Sequence, residues 1–177
     1  MRVTEELVHE HEVIKRLLGL LETACRRLDD GKEVDMDFFH GSVSFLRQFA
    51  DTCHHGKEEK VLFPELERVG VPVDGGPIGQ MLTEHERGRK LIAAIEDGAD
   101  HHRLTQIKEA ARSYVNMLRD HIVKENEVLF PLADKLMIEE KGEKVIAEFE
   151  RIEVDVMGEG AHEKLLGELD RLADYMK

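Results

Sequence analysis

Two stretches of the chain place an imidazole and a carboxylate one helical turn apart. Residues 54 to 64 read HHGKEEKVLFP, and residues 121 to 131 read HIVKENEVLFP. Laying Phe63-Pro64 on Phe130-Pro131 gives a lag of 67 and matches His54 to His121 and Glu58 to Glu125. Each match is His-x-x-x-Glu, an i, i+4 spacing that puts both groups on one face of a helix. A second echo precedes each stretch: Thr-Glu-His-Glu at 83–86 answers His-Glu-His-Glu at 9–12, so His85 matches His11. The chain thus holds two copies of a helix bearing His followed by a helix bearing His-x-x-x-Glu. Four imidazoles and two carboxylates exceed the needs of one ion. They fit two ions, each with two histidines, bridged by both glutamates. Imidazole and carboxylate without thiolate suit iron, with manganese or zinc as competitors. About four protein donors per ion leave positions open for solvent, an oxo bridge or a small molecule, which favours reactivity over a structural clamp.

Helices must carry these residues inwards, and the apolar spacing says where. Leu7, Ile14, Leu18, Leu21, Cys25 and Leu28 alternate by four and three once His11 is inserted, which predicts a helix over 4–28 with His11 in its buried seam and His9 to one side. Asp29-Asp30-Gly31 reads as its stop. A second helix is expected from about Asp35 to Phe63-Pro64, with Phe39, Val43, Leu46, Ala50 and Val61 in one stripe and His54 and Glu58 along its edge. At 100° per residue, His55 and Glu59 fall towards the opposite side, so these two and His40 are expected in solvent or behind the ligands. ERVGVPVDGGP reads as a loop. A third helix begins near Ile78, carries His85 in its stripe, and turns at Glu96-Asp97-Gly98. Gly88, one turn past His85, costs a helix about 1 kcal/mol relative to alanine, and space beside the site accounts for it. The fourth helix has the cleanest phase: Ile107, Ala111, Tyr114, Leu118, His121, Glu125, Val128. Glu125 in that seam needs a cation or a donor, and Tyr114 is expected to be a core residue with a satisfied hydroxyl, a donor lining the site being the alternative. The fold class expected is all-α, an up-down-up-down four-helix bundle over about 4–137, with a C-terminal helical extension over about 141–176 broken at Gly158-Glu159-Gly160, the whole forming one domain.

A net charge of −13, from 25 basic and 38 acidic residues, argues against nucleic acid and anionic membrane as partners. No apolar run is long enough for a signal segment or a membrane span, so a cytoplasmic protein is expected. Cys25 and Cys53 form no C-x-x-C pair and fall at apolar helical positions, as small hydrophobes do. Glu-x-x-His spacings of the ferritin type at Glu6/His9 and Glu159/His162 do not align with the repeat.

The order H…HxxxE…H…HxxxE, with LFP after each HxxxE, resembles the hemerythrin-like HHE cation-binding proteins over residues from about 4 to 137. The Gly-Glu-Gly-Ala-His-Glu tail at 158–163 is similar to tails found among them. The resemblance implies a non-haem di-iron centre of the Fe–O–Fe type in a four-helix bundle, with His11, His54, Glu58, His85, His121 and Glu125 as ligands. Oxygen-carrying hemerythrins have a second histidine where this chain has Arg89, and an aspartate where it has Asn126. One imidazole is therefore absent unless His162 supplies it. The symmetrical pattern is closer to the bacterial di-iron proteins that repair iron–sulfur clusters damaged by nitric oxide, which usually carry an N-terminal cysteine-containing module. Reversible binding of O2 or NO for sensing, storage or delivery is the function expected, since no nucleophile or phosphate loop is evident. The alternative is a di-iron enzyme of NO or peroxide detoxification or of iron–sulfur cluster repair. The sequence names no redox partner.

Overall fold

A computed structural model of the protein describes residues 2–177, and it is all-α, with no strand among the described residues. Six continuous helices follow one another: α1 (Glu5–Asp29), α2 (36–68), α3 (Pro77–Asp100), α4 (104–136), α5 (140–157) and α6 (Ala161–Asp174). Helix α1 ends as its sequence predicts. Gly31 takes φ +70°, and the Lys32 amide reaches back to the Arg27 carbonyl at 2.9 Å, closing the last turn. Asp35 caps α2, its carboxylate accepting the Asp37 amide at 2.9 Å. Pro77 opens α3, where its missing N–H costs nothing.

The expected turn at Glu96-Asp97-Gly98 does not form. Helix α3 runs through to Asp100, and the chain reverses over 101–103, with His102 at φ +53°. Gly98 is there for a close approach: a Cβ would sit 2.8 Å from Ile107 Cγ1 and 3.2 Å from the Ile107 amide nitrogen. Its absence lets α3 and α4 pack backbone to side chain at their junction. At the C-terminal end, Gly158 (φ +86°) and Gly160 (φ +73°) make the break expected between α5 and α6.

Helices α1 to α4 form a closed set, α1 touching α2, α2 touching α3, α3 touching α4, and α4 touching α1. Helix α5 packs on α2, and α6 on α1 and α2. The buried apolar side chains fall into two clusters rather than one. In α1 the seam passes from Leu7 in one cluster to Ile14 in the other through His11. In α2 it passes from Ala50 to Val61 through His54 and Glu58; in α3, from Met81 to Ile92 through His85; in α4, from Ile122 to Leu129 through Glu125. A layer of buried polar groups therefore divides the core, and every long helix contributes to it.

Candidate metal centre

The local backbone at the two HxxxE segments departs from the α-helix, and proline is the cause. The Phe63 amide donates to the Glu58 carbonyl and the Phe130 amide to the Glu125 carbonyl, five residues back in each case, within π-helical turns Glu58–Leu62 and Glu125–Leu129. Pro64 and Pro131 follow immediately. Proline has no N–H to give and its ring crowds the carbonyl four residues earlier, so the chain widens ahead of it. In α2 a longer π-helical stretch, Leu46–His55, precedes the first of these turns. The widened winding advances the chain by less than 100° per residue. Consecutive residues His54 and His55 consequently both face inwards, at 1% and 5% exposure. The expectation that His55 points away is thus corrected, and the reason is the winding.

All six residues picked out by the repeat are buried in one layer: His11, His54, Glu58, His85, His121 and Glu125. Their atoms are ordered. Glu125 directs Oε2 at His11 Nε2 and Oε1 at His121 Nε2, both at 3.1 Å. Glu58 directs Oε1 at His54 Nε2, at 3.7 Å, and Oε2 at His85 Nε2, at 3.4 Å. Each carboxylate thus spans one imidazole from the α1/α2 pair and one from the α3/α4 pair. The His85 and His121 Nε2 atoms are 3.2 Å apart. Two nitrogens each about 2.1 Å from a single ion, at right angles, would be about 3.0 Å apart. Two sets of donor atoms lie close enough to hold an ion: His11, His54, Glu58 and Glu125, and beside them His55, Glu58, His85 and His121. Glu58 belongs to both. His55 stacks on His85, ring centroids 3.7 Å apart at 15°, and adds a fifth imidazole that the sequence reading sought at His162.

A further row of residues sets the direction of the imidazoles, and the sequence reading missed it. His54 Nδ1 lies 2.8 Å from Glu10 Oε2, His85 Nδ1 2.7 Å from Glu59 Oε1, His121 Nδ1 2.8 Å from Glu84 Oε2, and His11 Nδ1 2.8 Å from Asn126 Oδ1. Holding Nδ1 as the donor leaves the Nε2 lone pair facing the interior, the tautomer a metal-binding histidine needs. The repeat could have revealed these partners. Glu10 and Glu84 each precede the seam histidine of α1 and α3, while Glu59 and Asn126 each follow the glutamate of HxxxE.

The polar layer is incomplete as protein alone. Eight buried side-chain atoms have no hydrogen-bond partner among the described residues, and six of them are inward atoms of the predicted residues: His11 Nε2, His54 Nε2, and both oxygens of Glu58 and of Glu125. Buried carboxylates without donors cost several kcal/mol each, and a cation is what this donor set lacks. Burial by itself would push the His85 and His121 imidazoles down. The neighbouring Glu58 and Glu59 carboxylates instead carry His85 up to about 9, and those of Glu125 and Glu84 carry His121 up to about 10. The same contest raises His54, where the Glu58 charge and the Glu10 hydrogen bond win. His55 goes the other way, well down, because burial and the neighbouring His85 both disfavour its charge. Imidazolium thus stands in for metal around Glu58 and Glu125.

The remaining candidates lie outside this layer. His40 is 40% exposed, 3.5 Å from Asp100. His162 is 41% exposed, lies edge-on to Phe49, and has Nδ1 3.5 Å from Glu153. With Glu10 and Glu153 it forms a third group of donors, but that place already holds a cation. Buried Lys57 Nζ is 2.7 Å from Glu10 Oε1 and 2.8 Å from Glu153 Oε1, and also pairs with Glu6. Glu10 therefore bridges Lys57 and His54, and is held down to about 2 despite its burial. Cys25 and Cys53 are free and buried, and burial pushes the Cys53 thiol up to about 12. Tyr114 is buried, but its hydroxyl has no partner among the described residues, contrary to expectation. No helix among the described residues is long and apolar enough to cross a membrane.

Comparison with known proteins gives a family. The hemerythrin HHE cation binding domain matches residues 2–133. An uncharacterized protein of Mycobacterium tuberculosis is 27% identical over 179 residues, covering 98% of this chain and 68% of its own length. The iron-sulfur cluster repair protein YtfE of Escherichia coli is 33% identical over 92 residues, covering 46% of this chain and 41% of YtfE. No solved structure gives a significant match. The chain is a metal-binding, hemerythrin-like protein and belongs to the hemerythrin HHE cation-binding family.

Proposed function

We propose that the buried layer holds two iron ions and that the protein binds O2 or NO reversibly, for sensing, storage or delivery. His11 and His54 would hold one ion, His85 and His121 the other, and Glu58 and Glu125 would bridge them, with His55 in reach of the second. One observation carries this reading: the atoms left unpaired in the core are the inward Nε2 and Oε atoms of the residues the repeat selects. Iron in such a site supplies open coordination positions and one-electron chemistry; manganese or zinc would fit the same donors. The chain supplies the rest. Glu10, Glu59, Glu84 and Asn126 fix the imidazoles, and the two apolar clusters exclude bulk water above and below.

Similarity to a protein named for iron-sulfur cluster repair supports a second reading, a di-iron enzyme of cluster repair or of NO or peroxide removal. Elemental analysis with optical spectra of reduced protein, before and after O2 or NO and again under vacuum, separates the two. Two irons per chain and a reversible adduct support binding. Turnover of NO or H2O2 with a reductant, or iron transfer to an apo-cluster protein, supports the enzyme. Protein grown in iron-replete medium and found with zinc alone would remove both.

A further inference from the structure

Beside the His85/His121 half of the layer lies a small cavity lined by Asp51, His55, Gly88, Arg89, Tyr114 and Met117, among others, and by His85 itself. It offers about 10 Å³ to the centre of a water-sized molecule, room for about one such guest. One of the eight unpaired buried atoms, the Tyr114 hydroxyl, belongs to a side chain lining this cavity, and His55 Nδ1, also at its wall, meets only the Asp51 carboxylate at 3.5 Å. Tyr114 is 1% exposed and His55 5% exposed. A buried hydroxyl left without a partner costs about 1–3 kcal/mol, so the Tyr114 hydroxyl at this cavity points to an occupant. On the His11/His54 side, His11 stacks on Phe130 with ring centroids 5.3 Å apart.

Gly88 keeps the space. A Cβ there would meet Met117 Cε and Tyr114 Cε2, each at 3.4 Å, so anything longer than alanine would occupy the cavity. On the outer side, Arg89 closes it. The guanidinium holds Asp51 at 2.8 Å and Glu59 at 2.7 Å, and is itself about one third exposed. Glu59 also carries His85, so the closing residue and the imidazole share one carboxylate.

We propose that the ligand of the centre docks in this cavity and that Tyr114 and Gly88 determine which small molecule it takes. The ligand is a hydrogen-bond acceptor no larger than a diatomic, it enters past Arg89 on the His85/His121 side, and the Tyr114 hydroxyl donates to it. Gly88 sets the size limit. This inference rests on the di-iron reading above.

The test is nitric oxide binding to iron(II)-loaded protein, followed by its optical and electron paramagnetic resonance signatures, with iron content and thermal unfolding measured on every variant. Tyr114→Phe removes only the hydroxyl. It should retain iron and fold, and should weaken NO binding about 3- to 10-fold, the loss of one hydrogen bond. Gly88→Leu should slow NO association several-fold with iron unchanged. Gly88→Ala, which meets only ordinary contacts, covers the case in which the leucine fails to fold, and should give a smaller slowing of the same kind. If wild type binds NO and Tyr114→Phe and the glycine variants bind it with unchanged affinity and rate, the chamber is refuted while the di-iron reading survives. If iron-loaded wild type takes up no NO, both fall together.

Discussion

Filling the centre with a divalent metal should expel protons, and the count follows from the geometry. In the metal-free chain His85 and His121 bring Nε2 to within 3.2 Å of Nε2, while each Nδ1 is engaged by a carboxylate. Burial opposes charge on both rings, yet their carboxylate neighbours hold them up, to about 9 and about 10. At that separation the two Nε2 atoms can share a proton, and each also faces a carboxylate oxygen, Glu58 for His85 and Glu125 for His121. The pair titrates as a unit and carries at least one extra proton near neutrality. His54 is raised as well, by the Glu58 charge and the Glu10 hydrogen bond. A metal needs the same lone pairs, so loading should release about one to two protons per chain at about pH 7. Apparent affinity should then rise about 10- to 100-fold per pH unit between about pH 6.5 and about pH 8.5. Anaerobic iron(II) titration by calorimetry, in two buffers of different ionisation enthalpy, measures the protons directly. An affinity flat across that range, with no proton released, would refute both the tautomers and the assignment of Nε2 as the inward donor.

Other outcomes can be checked alongside. His54→Ala or Glu125→Ala should lower bound iron, while His40→Ala, at the surface beside Asp100, should not; equal iron in all three by elemental analysis would remove the ligand assignment. In the metal-free protein, stability from the raised histidines is fully present below their unfolded value of 6.5 and is lost as pH rises through about 9 to 10. Its melting temperature should fall across that window, whereas a metal-loaded sample should hold steadier. Lys57→Met strips the ammonium from Glu10, which is buried, and from Glu6 and Glu153 at its rim. Urea denaturation should report a cost of about 3–5 kcal/mol; a cost below about 1 kcal/mol would place Lys57 with ordinary surface pairs.

The seam residues of α1, α3 and α4 were legible because four-and-three spacing is a direct record of an α-helical face. His11, His85, His121 and Glu125 could be taken from it without reference to one another. His54 and Glu58 needed the repeat, since α2 does not keep one winding. His55 escaped for the same reason, as a wheel drawn at 100° per residue cannot describe a stretch whose hydrogen bonds reach five residues back. Pro64 and Pro131 were visible hints of that widening. Gly98 was misread as a turn because a glycine's sequence context does not distinguish a chain reversal from a close packing contact. Asn126, Glu10, Glu59 and Glu84 had no hydrophobic signature; the repeat matches them in pairs, and the three-dimensional pairing shows which imidazole each one holds.

The outer pairings run in one direction around the bundle. Glu10 on α1 supports His54 on α2, Glu59 on α2 supports His85 on α3, Glu84 on α3 supports His121 on α4, and Asn126 on α4 returns to His11 on α1. A cycle of this kind has no first member. Two identical chains, each only a helix pair, could close the same cycle across a two-fold axis. What a single covalent chain adds is the freedom to make corresponding places differ. Position 59 can keep an acid while position 126 takes an amide, so the imidazole of His11 leans on a neutral group and its three counterparts on charged ones.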